Sequence, residues 1–255
     1  MDFLLPTLPF GVMILSTLVA ILAGFIKGIV GFGMPMILIS GLSSFLSPEL
    51  ALAGLMAPTL VTNVIQSLRQ GYAAAWHSII RFRRFMIAGG ICLVLSAQLV
   101  RVLPSDVLLL IIGVPVALFS LLQLLGRPIK ISKPSPRGEI SVGIIAGAIG
   151  GVSGVWGPPT VTYLTALGTE KTEQMRVQGV IYGLGAIVLV LSHIGSGVVT
   201  VSSAPFSLML VLPAIAGMWL GGQLSERIDQ NRFRQATLLV LLFASANLIR
   251  RGLMG

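Results

Sequence analysis

The stretch GIVGFGMPM, Gly28 to Met36, decides how this 255-residue chain is read. It follows a lone charge, Lys27, at the end of a run from Phe10 to Ile26 that is otherwise almost purely apolar. Glycine permits positive φ and close backbone approach. Proline fits the first turn of a helix, where its missing N–H costs nothing. GFGMP therefore reads as a loop followed by a helix start, placed inside an apolar segment. A second stretch, GVSGVWGPP at Gly151 to Pro159, has much the same shape.

Composition sets the class. Hydrophobic residues make up 55% of the chain and charged residues 10%, with a mean hydropathy of +0.97. A soluble domain carries about 25% charged residues, so this chain cannot cover itself with a water-compatible surface and reads as a polytopic membrane protein. The net charge of +9 does not point to nucleic acid, because the bases sit in short loops between apolar runs, where orientation signals are expected. The start, MDFLLPTLPF, has an acid and no base before Lys27, so the first apolar stretch is expected to stay as a membrane segment rather than act as a cleaved signal. The single cysteine, Cys92, makes no intrachain disulfide and no metal cluster, and reads as a small buried apolar side chain. There is no Ser–His–Asp cluster, no metal-ligand spacing and no phosphate loop, so neither an enzyme nor a cofactor is expected.

A helix needs roughly 20 apolar residues to cross a bilayer. The apolar runs are Phe10–Ile29, Pro35–Leu46, Glu49–Leu68, Phe85–Val100 and Val107–Leu125, then Ile140–Val152, Pro158–Leu167, Met175–His193, Phe206–Leu224 and Phe233–Ile249. Between the two sets lies a polar, proline-rich stretch, GRPIKISKPSPRGE. The expected division is a first repeat over 1–126, a cytoplasmic linker over 127–138 and a second repeat over 139–255. Pro35–Leu46, Ile140–Val152 and Pro158–Leu167 are too short to cross alone. Interrupted segments at matching places in two halves point to broken helices at a transport site. A shift of 123 positions lays Ala23, Gly24 and Ile26 on Ala146, Gly147 and Ile149, and Gly28, Gly31 and Pro35 on Gly151, Gly154 and Pro158. Duplication explains this better than chance.

Charge relates the halves. With five segments in each, the second half is inverted. Putting Arg69 to Arg84 inside then places 13 bases in the inner loops and only Arg101, Arg250 and Arg251 outside. Four segments per half split the bases 10 to 6. The positive-inside rule favours the inverted arrangement, as does the loop HIGSGVVTVSSAP, which has no Lys, Arg or acid. The expected fold is an all-α polytopic membrane protein of two inverted repeats, about five helical segments each, with a broken or re-entrant first helix pair in both and both termini outside.

A helix start offers unbonded N–H groups and about +0.5 of an elementary charge. Two inverted halves would aim two starts at one point near the membrane middle, an anion site. Lys27 fits beside such a site, facing a negative ligand. It also fits as a lysine that snorkels to the surface or neutralises Glu49. Thr59, Thr62, Asn63 and Gln66 share one face of the third segment, and Gln174, Gln178, Tyr182 and Gly185 form a similar stripe in the second half. Each stripe can line a cavity or bond to neighbouring helices. Arg176 can bind an anion or pair with Glu173 or Glu170, and the loop pairing is favoured. Tyr163 presents a hydroxyl to the cavity or sits at the interface.

The motifs GFIKGIVGFGMPMILI and GVSGVWGPPTVTYLTALGTEKTEQMRVQG resemble the TauE/SafE family of sulfite and organosulfonate exporters, within the 4-toluene sulfonate uptake permease superfamily. Many members have glycine where Trp156 stands, so the chain is similar to a divergent subgroup. The resemblance implies a multi-pass transporter of a bacterial-type inner (plasma) membrane that moves small sulfur-containing anions outward by alternating access. Carried over by position, the site centres on Gly31, Phe32, Gly33 and Met34 with Gly154, Val155, Trp156 and Gly157. Lys27, Asn63 and Gln178 are expected as additional contacts. The expected partners are a small anion and the lipid bilayer, with no nucleic acid and with a homodimer left open. The alternatives are a carrier of another small anion such as a carboxylate, and a membrane-embedded subunit without transport of its own.

Overall fold

Within a bilayer no water is present to bond the backbone, so a chain segment must satisfy its own N–H and C=O groups, and helices do this along their length. The computed structural model describes residues 8–42, 44–99, 105–126, 130–131, 135–153, 156–195 and 203–254, and among them there is no strand. The helices are α1 (Phe10–Val30), α2 (Met34–Leu42), α3 (Pro48–Leu68), α4 (Tyr72–Arg81), α5 (Arg83–Leu99), α6 (Ser105–Leu124), α7 (Pro136–Ser153), α8 (Gly157–Ala166), α9 (Lys171–Gly195), α10 (Ala204–Met209), α11 (Val211–Arg227) and α12 (Gln230–Met254). Three helical stretches among the described residues are long and apolar enough to cross a membrane: Phe10–Val30, Ala204–Arg227 and Gln230–Met254.

The apolar runs each become a helix, with three differences. The stretch after Arg69, expected as a loop, contains α4. Its ten residues follow Gly71, which turns the chain at φ 86°. The expected linker over 127–138 ends in the first turn of α7, because the Ser135 hydroxyl accepts the Gly138 N–H at 3.0 Å and so caps that helix from Pro136 onward. The run Phe206–Leu224 is covered by α10 and α11, which meet at Leu210.

The chain forms two compact units that do not follow the sequence halves. Unit 1 takes Met1–Arg69 and Gly179–Ile228, and unit 2 takes Gln70–Gln178 and Asp229–Gly255. In unit 1, α1 ends at Gly31, whose left-handed conformation (φ 84°) lets its N–H reach the Lys27 carbonyl at 2.7 Å. Gly33 is also left-handed, at φ 90°. After it the chain reverses. Gly41 of α2 lies against the Val19 side chain of α1, so α2 runs back along α1 as a helical hairpin.

In unit 1, α1 packs against α11 through glycines. A Cβ at Gly24 or Gly28 would overlap main-chain atoms of Ala214 and Met218, and one at Gly217 or Gly221 would overlap the Ile21 and Phe25 carbonyls. These pairs are GFIKG and GMWLG, the small-xxx-small pattern that lets membrane helices approach backbone to backbone. The contacts advance together along both helices, so α1 and α11 are parallel. Unit 2 has an equivalent pair. Gly143 and Gly147 of α7 face Phe85 and Gly89 of α5 at the same close approach and in the same parallel sense. In each unit, the first segment of one half packs on the fourth segment of the other.

Pro58 sits inside α3. It has no N–H for the carbonyl four residues back, and that carbonyl, on Gly54, accepts the Ser207 hydroxyl of α10 at 3.2 Å instead. The same hydroxyl accepts the Ala57 N–H at 3.0 Å.

Replacing Gly217 with Val puts a branched side chain into the Ile21 carbonyl. The expected cost is about 1–3 kcal/mol of overpacking, read as a lowered thermal midpoint of the detergent-solubilised protein. Leu212→Val on the exposed face of the same helix should leave the midpoint unchanged. Equal midpoints in the two variants would show that close packing of α1 on α11 is not needed.

Candidate functional site

The buried stripe of α1 runs through Ser16, Ala20, Ala23, Gly24 and Lys27, at helical spacing. Its opposite face exposes Ile14, Leu18 and Leu22. Lys27 therefore points inward one turn before the reversal at Gly31, and only 1% of it is accessible. Burial this complete rules out snorkelling. The ammonium donates to Asn63 Oδ1 on α3. Among the described residues it has no carboxylate partner, and the Glu49 side chain lies outside those described. An ammonium has three protons to donate, and Asn63 accepts one of them.

The rest of the α3 stripe closes on the same hairpin turn. Thr59, Thr62, Asn63 and Gln66 are all buried, as their spacing predicted. Gln66 donates to the Gly31 carbonyl at 3.0 Å. Thr62 donates to the Pro58 carbonyl at 2.6 Å and touches the Met34 sulfur at 3.4 Å. Thr59 Oγ1, one turn before Asn63, is buried with no hydrogen-bond partner among the described residues. Phe32 is buried in the turn itself. The Gly33 carbonyl accepts from Ile37 at 3.1 Å and so opens α2. Gly33, Met34 and Met36 carry main-chain N–H groups with no acceptor inside that helix, and Pro35 removes one. Unit 1 thus brings together Lys27, Asn63, Gly31, Phe32, Gly33 and Met34 from the expected site.

Unit 2 builds its helix start differently. Trp156 precedes α8 and is buried, and Thr160 bonds its carbonyl at 2.9 Å. Gly157 is the first residue of α8, followed by Pro158 and Pro159. Two prolines in one first turn remove two of its four N–H donors, leaving those of Trp156 and Gly157. The indole lies over Gly150, where a Cβ would come within 2.8 Å of the ring. In the 123-position shift of the sequence, Gly150 falls on Lys27 and Trp156 on Gly33. Unit 2 thus has an indole against glycine at the position where unit 1 has a buried lysine. Gln178 is fully buried on α9. Gly154 and Val155 lie outside the described residues.

Arg176 is not paired with Glu173, against the favoured reading. Glu173 takes Arg81, while Arg176 donates to Ser78 Oγ at 2.8 Å and to Gln70. The missed partners lie on α4 and just before it. Tyr163 is buried with its ring stacked on Phe85, centroids 6.5 Å apart, which gives it a packing role.

Apolar helices, interrupted by glycine–proline turns and carrying a buried cation, define a polytopic membrane protein of the transporter class. The family model described as "Sulfite exporter TauE/SafE" matches residues 16–248, and the chain belongs to that family of membrane transporters. Comparison with curated proteins and with solved structures gives no match.

The fit of Trp156 on Gly150 makes a linked prediction. Gly150→Ala should destabilise the protein by about 1–3 kcal/mol, and the loss should shrink in a Trp156→Ala background because the ring is then gone. A double-mutant cycle of thermal midpoints measures this. Additive losses would mean that the ring and Gly150 do not constrain each other.

Proposed function

We propose that this chain is a secondary transporter that exports small sulfur-containing anions, sulfite or an organosulfonate, by alternating access between two inverted repeats in a bacterial-type inner (plasma) membrane. The observation that carries the reading is Lys27: a cation buried at a helical turn, beside the start of α2, with no carboxylate partner among the described residues. A buried unpaired charge is strongly unfavourable, and an intramembrane cation is by default a functional group. A small anion supplies the missing partner, and the N–H groups of Gly33, Met34 and Met36 supply further donors. Thr59 offers it a hydroxyl. In this proposal the α8 start, with Gly154, Val155, Trp156 and Gly157, is a second anion-facing helix start, and Gln178 is a side-chain contact.

Two features support inversion. The hairpin of α1 and α2 makes the first break a reversal rather than a kinked single span, which gives an odd number of segments per half. The exchange of first and fourth segments, made alike in both units, supports two related halves. In this proposal the base-rich loops lie inside, so Arg83 faces the cytoplasm and both termini face out.

Binding to the folded state raises apparent stability, by about 2.7 kcal/mol at a hundredfold excess over Kd. Sulfite, sulfoacetate or taurine should therefore raise the thermal midpoint of the purified protein more than small carboxylates do. Lys27→Ala should weaken that binding about 10- to 100-fold, the loss of one charged hydrogen bond, while the protein still inserts. Gly33→Val and Gly157→Val should abolish it, and Gly33→Val should also strain a left-handed turn. An unchanged affinity in well-inserted Lys27→Ala protein would end the anion-site reading.

Orientation has its own test, in a Cys92→Ser background. A cysteine at Met254 should label from outside intact cells and one at Arg83 should not. The reverse pattern would exclude the proposed inversion.

A further inference from the structure

We propose that α4 is an interfacial helix that docks on the anionic phospholipid surface of the membrane, with Arg83 and Arg84 bound to lipid phosphates. At 1.5 Å per residue, its ten residues span about 15 Å, half the hydrocarbon thickness, so it cannot cross. Tyr72, Trp76 and Ile80 stand one turn apart on a single face and are 80%, 62% and 48% exposed. The opposite face is fixed to unit 2: Ala75 and Ser78 are buried, as is Phe82 just beyond the helix, and Ser78 accepts the Arg176 side chain from α9. The outward row is therefore held outward.

Tyr, Trp and Ile in one exposed row suit the membrane–water boundary, where amphipathic rings sit at headgroup level. The charge pattern identifies the lipid. From Arg69 to Arg84 there is no acidic residue. Arg81 is taken by Glu173. Arg83 and Arg84 follow directly, exposed, and form no ion pair among the described residues. An apolar row beside two unpaired guanidinium groups complements an acyl boundary beside phosphates, and Arg binds phosphate bidentately. A zwitterionic surface offers no net attraction to that pair, whereas an anionic one does.

The test uses the full-length protein in mild detergent, titrated with phosphatidylglycerol or with phosphatidylcholine of equal chain length and read by thermal midpoint. Phosphatidylglycerol should raise the midpoint at lower concentration than phosphatidylcholine. Arg83→Gln/Arg84→Gln should move the phosphatidylglycerol titration to roughly thirtyfold higher concentration without moving the midpoint in lipid-free detergent. Arg83→Lys/Arg84→Lys should retain most of the response. Trp76→Ser should weaken the response to both lipids. Arg250→Gln/Arg251→Gln removes the same charge elsewhere and should leave the titration in place. Equal responses to the two lipids, or an equal loss in the Arg250/Arg251 variant, would overturn the proposal.

Discussion

A buried lysine with no counter-charge among the described residues is the constraint around which unit 1 is arranged. Its ammonium cannot reach water, so the protein must bring polarity to it. Asn63 does so from α3, and Gln66 and Thr62 on the same face hold the turn that follows Lys27. That turn is possible only because Gly31 and Gly33 take left-handed conformations, closed to most side chains. The reversal in turn brings the start of α2 back beside α1. One charge, two glycines and one polar helix face thus account for each other.

Much of this was legible in the sequence, and the reasons are physical. Apolar runs of helical length locate the segments, because burying a backbone in lipid leaves few other options. The Gly–Pro breaks are legible because no other residues do what they do. The α3 stripe is legible from its spacing. What spacing does not reveal is which helix a stripe meets. Asn63 was expected near the site, but its bond to Lys27 spans 36 positions. Arg176 was misjudged for the same reason: Glu173 is near in sequence, whereas Ser78 and Gln70 are near in space. The helix α4 escaped because its buried face is made of Ala75 and Ser78, small residues that carry little hydropathic signal. The double proline was read as a helix start, which it is, but its cost in N–H donors follows only from counting them.

The two halves share a frame and differ in what fills it. Where unit 1 has a buried lysine, unit 2 has glycine under an indole. The exchange leaves the space beside Gly150 to the indole. It also concentrates the charge in one half.

The parallel glycine-faced pair in each unit has a consequence for biosynthesis. Gly24 of α1 meets Ala214 of α11, about 190 positions further along, so at roughly 5–20 residues per second its partner emerges about 10–40 s later. During that interval the glycine face of α1 lies in the membrane without the helix that packs on it. In unit 2 the wait is short, because α5 and α7 are separated by little more than α6. The two glycine-faced contacts can therefore form in turn, α5 with α7 first and α1 with α11 later. Neither half can complete its packing as a separate polypeptide, since each lends its first helix to the fourth of the other. A chain cut at the linker would have to regain that exchange between two molecules.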